Sequence, residues 1–599
     1  MMTSEQPRPG APLRKSSGTS ASGRPVSPRR AWLPQDSGVF SRAPEIGPVD
    51  GILDSYDRAP DFDEATTQDA PSAGHMKRGD SPTGEQGHEQ DKGAPVQATD
   101  RKAILKGTAW QALGQFTPLI INLALTPFII SGLGQTIYGI FLVAVAVQLF
   151  IAALDGGVSA SSARYFTILV GKGDTAGLTR LLTTLLGFSA VTSAVLFGFT
   201  WHFAPQLMGF FPATAADPEG AVFLLRSMAC IIVIAQLRSG FQQVVWAHGT
   251  FAWNSLSTFI GHLIYVVGMV ATIHYDWGLH GIAWTQLAQQ IAPTVLIIPT
   301  AWKRLDHRHF RFTDWATAKD FLSYAWKVQL SSIMNVIGAQ GDIMLVGRFA
   351  SAQTTPFGAG SNFAQTLGNV PMNAHVPLQT AVGHHLGTLS EAEAAERVSK
   401  MQLLWVRGVW GWVAVGAPAA LFGVTAWLNL GSSLTGNVAC LVLLSFGMLL
   451  LAQVQLLWAQ GLGRSELSLW YGLVSTVVNL SLTVVLIKPY GAMGSVVATA
   501  IGRVIAAVLL EWLMARRLPT NIASPWHQVP WLQGVAGSIV SALGAWAVFT
   551  FLVGSIVPYG PLALFACGLA AAPGMVVYGV LTFGVDGSRQ MLRKVLRRG

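Results

Sequence analysis

The chain has 599 residues, 51% of them hydrophobic and only 12% charged, with a mean hydropathy of +0.44 and a formal net charge of +9. Its Lys and Arg residues fall in short breaks between apolar blocks, so the positive charge reads as a membrane-orientation signal and argues against a nucleic-acid partner. The three cysteines, Cys230, Cys440 and Cys567, lie far apart inside apolar blocks and indicate neither a disulfide framework nor a metal site.

Residues 1–100 are rich in Pro, Gly and Ser and carry 11 basic and 15 acidic residues with no sustained period. Such a segment cannot bury enough apolar surface to offset its ordering entropy, so a disordered cytoplasmic tail is expected, either passive or a docking arm. It has no continuous apolar run of the kind a cleavable secretory signal needs.

Apolar blocks of about 20 residues follow, the length that spans a hydrocarbon core of roughly 30 Å at 1.5 Å per helical residue. The first six are Thr108 to Ile130, Ile137 to Ile168, Leu181 to His202, Ala221 to Trp246, Leu256 to Ile273 and Gly281 to Ala301. The polar, strongly basic stretch Trp302 to Lys327 then divides the chain. Beyond it come Val328 to Gly347, Phe357 to Val382, Met401 to Trp427, Val438 to Trp458, Trp470 to Ile487, Ser495 to Met514, Gly534 to Ile556 and Leu562 to Val585. The prediction is an all-α integral membrane protein of about 14 transmembrane helices. A first six-helix bundle covers residues 101–301, a basic cytoplasmic linker 302–327, a second six-helix bundle 328–515, and two additional C-terminal helices with a basic cytoplasmic tail 516–599.

With the N-terminus inside, the cytoplasmic segments collect about 21 Lys and Arg, whereas the outer breaks hold about two, Arg348 and Lys488. An asymmetry of that size sets the orientation, and with an even number of spans both termini are cytoplasmic. The halves also resemble each other. Trp246-Ala-His-Gly249 pairs with Trp458-Ala-Gln-Gly461, and Gly278-Leu-His-Gly281 with Gly491-Ala-Met-Gly494, at offsets of 212 or 213 residues. Six spans is an even number, so the copies are parallel, the arrangement of transporters whose substrate path runs between two bundles.

No GxxxxGK[ST], HExxH or CxxC occurs, and no outer break is long enough for an extramembrane active site. The ionisable residues at membrane depth are therefore the candidates, because they are expensive there. Arg164, Arg226, Arg238, Arg407 and Arg503 outnumber the acids Asp155, Asp342 and Glu511. An excess of arginine suits an anionic substrate, whose phosphate oxygens match the planar guanidinium; the alternative is snorkelling to the interface. Asp155, followed by two glycines, is too short to snorkel; it either loosens its helix for a polar partner or pairs with an arginine. Asp342 lies nearer the outer face, where a salt bridge to Arg348 is expected. His262 and His375 are candidates for a cavity lining or proton relay, or else for interhelical hydrogen bonds. Pro371 and Pro377 flank His375, which predicts a kinked or discontinuous helix. No metal site and no cofactor is indicated.

Three runs carry a family likeness: GLGQTIYGIFLVAVAVQLFIAALDGGVSASSARYFTILVGKGD, AQGDIMLVGRF and WAQGLGRSELSLW. Over about residues 101–515 the chain resembles the oligosaccharide flippase, or polysaccharide transporter, family of the multidrug/oligosaccharidyl-lipid/polysaccharide exporter superfamily. The resemblance implies two parallel six-helix bundles facing each other as a V around a cavity that opens alternately to either side. It implies a lipid-linked oligosaccharide substrate, typically on undecaprenyl diphosphate, moved from the inner to the outer leaflet of a bacterial cytoplasmic (inner) membrane for exopolysaccharide, capsule or O-antigen synthesis. Membrane lipids, a polysaccharide polymerase and export machinery are the implied partners. Asp155 and Asp342 stand at acidic positions frequent in the family, and the two extra C-terminal spans resemble the lipid II flippase branch in number. Two rivals stay open: a drug or cation antiporter of the same fold, with Asp155 or Asp342 binding Na+ or H+, and a membrane glycosyltransferase, which the absence of a large loop disfavours.

Overall fold

The computed structural model describes residues 120–596 apart from 156–161, 163–164, 167–168 and 373. The predicted tail therefore lies outside the described residues. Among the described residues there is no named strand, and ten helices are long and apolar enough to cross a membrane. The protein is an all-α multi-pass membrane protein.

The first bundle contains α1 (Ile120–Leu133), α2 (Gln135–Ala152), α3 (Thr175–Gly209), α4 (Pro218–Ala247), α5 (Phe251–His274) and α6 (Gly278–Trp302). Local sequence sets several of these ends. Asp174 and Asp217 accept the backbone N–H of Gly177 and Gly220, at 2.7 and 2.9 Å, and so cap α3 and α4; Pro218 follows at a position whose N–H needs no partner. Gly249, at φ 71°, ends α4 by donating its N–H to the Trp246 carbonyl. A side chain there would be strained in the left-handed region.

The connector after α6 is sewn to the first bundle. Asp306 N–H donates to Thr179 Oγ1, Thr313 N–H to Thr184 Oγ1, and the Arg304 guanidinium to Thr250 Oγ1. The Asp306 carboxylate accepts from the Arg308 N–H and the His309 ring, and these two partners hold it below the usual carboxylate range. Helix α7 (Trp315–Phe349) starts inside the basic stretch. Its Phe321 meets Tyr165 of the first bundle edge-on, and its far half belongs to the second.

The second bundle comprises α7, a divided span made of α8 (Thr354–Met372) and α9 (His375–Thr388), then α10 (Glu391–Leu428), α11 (Leu434–Gly461), α12 (Glu466–Tyr490) and α13 (Ala492–Arg517). The division falls just after Pro371, whose ring cannot continue a helical ladder. Ser390 and Glu393 form a capping box that starts α10 ten residues before its apolar block. Gly278 and Gly491, both at positive φ, make the tight turns into α6 and α13, so the matched sequence motif has a matched backbone role.

Two further helices, α14 (Trp531–Phe551) and α15 (Pro561–Leu596), pack on α10. Ser538 and Ser541 donate to the Ala414 and Val415 carbonyls, and the Tyr578 hydroxyl donates to the Arg407 carbonyl. Small residues let the backbones close: a Cβ on Gly544 would lie 2.0 Å from the Ala570 carbonyl oxygen.

The bundles meet unequally at their two ends. At the end away from the connector one continuous core joins them, with Leu125, Phe141 and Phe211 of the first bundle packed with Ala359, Trp427 and Ala439 of the second. The Trp427 indole N–H donates to the Leu123 carbonyl and Thr355 Oγ1 to the Gln135 carbonyl. At the connector end the cores are separate, one around Phe166, Leu182 and Phe241 and another around Trp458, Leu467 and Leu510. The structure is thus closed at the end opposite the connector.

Candidate functional site

Two cavities lie below that closed end. The larger, about 530 Å³, is bounded by both bundles. Helix α6 supplies Gln286, Gln289 and Gln290, α5 supplies His262 and Tyr265, and α1 supplies Asn122. Facing them, α8 presents Asn362, Gln365 and Asn369, which at spacings of three and four form one helical stripe. His262 Nδ1 donates to the Thr258 carbonyl, which fixes its tautomer when neutral. Trp427 and Phe363 complete the wall, their ring centroids 5.9 Å apart.

The second cavity, about 370 Å³, lies within the second bundle and shares Gln365 with the first. It holds Asp342, His375 and Arg503. Arg503 donates from Nη1 to Ser445 Oγ at 2.9 Å, and its guanidinium carbon sits 4.5 Å from the centre of the Phe446 ring. It makes no ion pair among the described residues. Asp342 is 8% exposed and accepts from Asn479 Nδ2, Thr483 Oγ1 and Thr499 Oγ1, the last at 2.7 Å. His375, at the start of α9, contacts Gln453 through Nδ1.

The expected Asp342 to Arg348 bridge is absent. Six residues advance a helix by about 600°, so the two side chains leave α7 on different sides. Arg348 instead sits over the Phe210 ring at 4.7 Å. Two of the candidate arginines also lie elsewhere. Arg226 reaches the Trp201 carbonyl and ring in a shallow groove with Glu219 and His280. Arg407 lies over Phe583 of α15, because its face of α10 turns to the C-terminal helices. Arg238 is half-buried on α4 and lines neither cavity; its Nε has no hydrogen-bond partner. Arg164 and the side chain of Asp155 lie outside the described residues.

The comparisons with known proteins bear on this arrangement. The family described as polysaccharide biosynthesis protein matches residues 104–382. That match spans just under half of the chain, which over those residues is similar to polysaccharide biosynthesis proteins. Over 423 residues it is 20% identical to the Shigella flexneri protein named "Putative O-antigen transporter", covering 69% of this chain and 98% of the relative. In fold it is similar to the lipid II flippase MurJ in an inward closed conformation, at a TM-score of 0.58 and 12% identity, with 81% of this chain and 99% of that one covered. It is similar also to an inward-facing multidrug resistance transporter of the MATE family, at a TM-score of 0.53 and 16% identity, with 68% and 94% covered.

In this chain the ionisable residues are visible in the sequence, whereas the neutral ones around them carry no charge to mark them. Asn479 and Thr483 are one turn apart on α12, and Ser495, Thr499 and Arg503 are successive turns of α13. Polar residues repeating every three or four positions in an apolar helix are the signal that would have found them. The Asp342 cluster yields a direct expectation. Asp342→Ala removes the acceptor of three buried donors and should lower stability by about 1–3 kcal/mol, read as an earlier thermal unfolding midpoint in detergent. Asp342→Asn retains an acceptor and should lose less; equal losses would remove the hydrogen-bond account.

Proposed function

We propose that this protein is a transporter that flips a lipid-linked oligosaccharide, carried on undecaprenyl diphosphate, from the inner to the outer leaflet of a bacterial cytoplasmic membrane. It serves exopolysaccharide, capsule or O-antigen synthesis and works beside a polymerase and export machinery. The observation that carries this reading is Arg503, a cation without an ion-pair partner among the described residues, held in a cavity that adjoins a larger polar chamber between the bundles. A diphosphate is costly to move through hydrocarbon, and a wet interior with a guanidinium lowers that cost while the lipid tail stays outside. The match to polysaccharide biosynthesis proteins supports the polysaccharide class, and the name of the Shigella relative, a putative O-antigen transporter, supports an antigen saccharide as cargo.

The Lys and Arg asymmetry supports cytoplasmic termini and, with them, a closed end at the outer face. Asp342 is the group we assign to energy coupling. One carboxylate with amide and hydroxyl oxygens suits a proton or a monovalent cation better than a divalent one, which favours more carboxylates. The reading is tested by removing the protein and identifying the lipid that accumulates. A diphosphate-linked oligosaccharide trapped in the inner leaflet is expected; an unchanged pool of such lipids overturns the proposal.

A further inference from the structure

The two cavities differ in chemistry in a way the flippase reading does not require. The second-bundle cavity contains charge in Arg503 and Asp342. The chamber between the bundles has, among its described lining residues, no Lys, Arg, Asp or Glu. It has amides instead, and those of Gln286, Gln289, Gln290, Asn362, Gln365 and Asn369 make no hydrogen bond to the protein among the described residues. Gln290 Oε1 is buried without a partner.

An amide group offers both donors and an acceptor at fixed spacing, and a sugar hydroxyl is likewise both donor and acceptor. Unpaired amides in a chamber with apolar ring faces match a hydroxyl-bearing ring with polar edges and less polar faces. They match a carboxylate poorly, since an anion brought into a partly dry chamber with no facing cation keeps its desolvation penalty unoffset. At about 530 Å³ the chamber lies within the range of ligand-sized sites.

We propose that this chamber seats an uncharged saccharide, while the diphosphate joined to it lies toward Arg503, the two subsites meeting at Gln365. This rests on the flippase reading and adds a substrate class: the sugars nearest the diphosphate are neutral, without uronic acid or other anionic substituents. The seat is shared by α1, α5 and α6 on one side and α8 on the other. It is therefore complete only while the bundles are closed together at this depth, and their parting dismantles it. Loss of the facing amides on separation releases the sugar without any change at the charged subsite.

The test uses the full chain in lipid nanodiscs and three probes: a polyisoprenyl diphosphate, the same lipid bearing a neutral trisaccharide, and the same lipid with a uronic acid as its first sugar. Binding of the neutral form at least tenfold tighter than the sugar-free lipid is expected, with the uronate form no tighter than the sugar-free one. Asn362→Leu with Asn369→Leu, two amides of the chamber that do not line the charged cavity, should erase the tenfold gain and leave the sugar-free lipid bound as before. Gln289→Arg, which adds a cation to the chamber, should make the uronate form the tighter ligand. Equal binding of neutral and uronate forms, or a gain that survives loss of both amides, overturns the neutral seat. If Arg503→Gln still weakens the sugar-free lipid in that case, the flippase reading stands without it. Failure of all three probes to bind the wild-type chain sinks both.

Discussion

Replacing Arg503 by alanine should cut export roughly thirtyfold or more, with the lipid-linked precursor held on the cytoplasmic side. The size follows from the setting. Truncating one partner of a buried, hydrogen-bonded charge pair costs about 2–5 kcal/mol, and each 1.4 kcal/mol is about tenfold. Ser445 and Phe446 hold the guanidinium in place without neutralising it, so it is preorganised for an anion. Arg503→Lys keeps the charge but loses the planar fork and the face-on contact with the ring, and should fall between the two. Arg407→Gln is the matched control: it also removes a membrane-depth arginine, but one that lies over Phe583 away from both cavities, and export should persist. Export at the wild-type rate by the Arg503→Ala protein, at equal membrane abundance, would take the residue out of the mechanism.

The pattern of spans was legible because hydrocarbon thickness sets a fixed length of apolar chain. The same signal marks where lipid ends, and helices do not end there. Helix α7 begins at Trp315 and α10 at Glu391, well before the apolar blocks at Val328 and Met401, because both helices continue past the apolar stretch, α10 as far as its capping box at Ser390. The site was legible only in its charges. Depth along a span can be counted, but direction around the helix cannot be read where apolar residues surround it on every side, as on α4. Arg226, Arg238, Arg407 and Arg503 therefore looked alike in sequence, and packing alone separates them. The same loss of azimuth hides from the sequence that the partners of Asp342 are Asn479, Thr483 and Thr499 from two later helices and not Arg348.

Cysteines at Gly139 and Thr354 should stop transport under oxidising conditions and release it on reduction. Gly139 lies on α2 and Thr354 begins α8, so the pair bridges the two bundles at the closed end. A Cβ built on Gly139 lies 3.7 Å from the Thr354 Cβ, inside the roughly 3.5–4.5 Å that a disulfide requires. The sacrifice is small, since the Thr354 hydroxyl is buried with no hydrogen-bond partner. Bundles that rock about this closure cannot open to the far side once it is bolted, so flux should drop to near zero and recover with a thiol reductant. The native Cys230, Cys440 and Cys567 are unpaired, and replacing them by serine removes competing exchange. Gly347 supplies the opposite perturbation. A Cβ there would meet Val143 Cγ2 at 2.7 Å, and a branched valine cannot retreat easily. Gly347→Leu should therefore hold the same end apart and slow transport without any dependence on redox state. If the bolted double-cysteine protein carries substrate as fast as the reduced one, parting of the bundles at this end is not a step in the cycle.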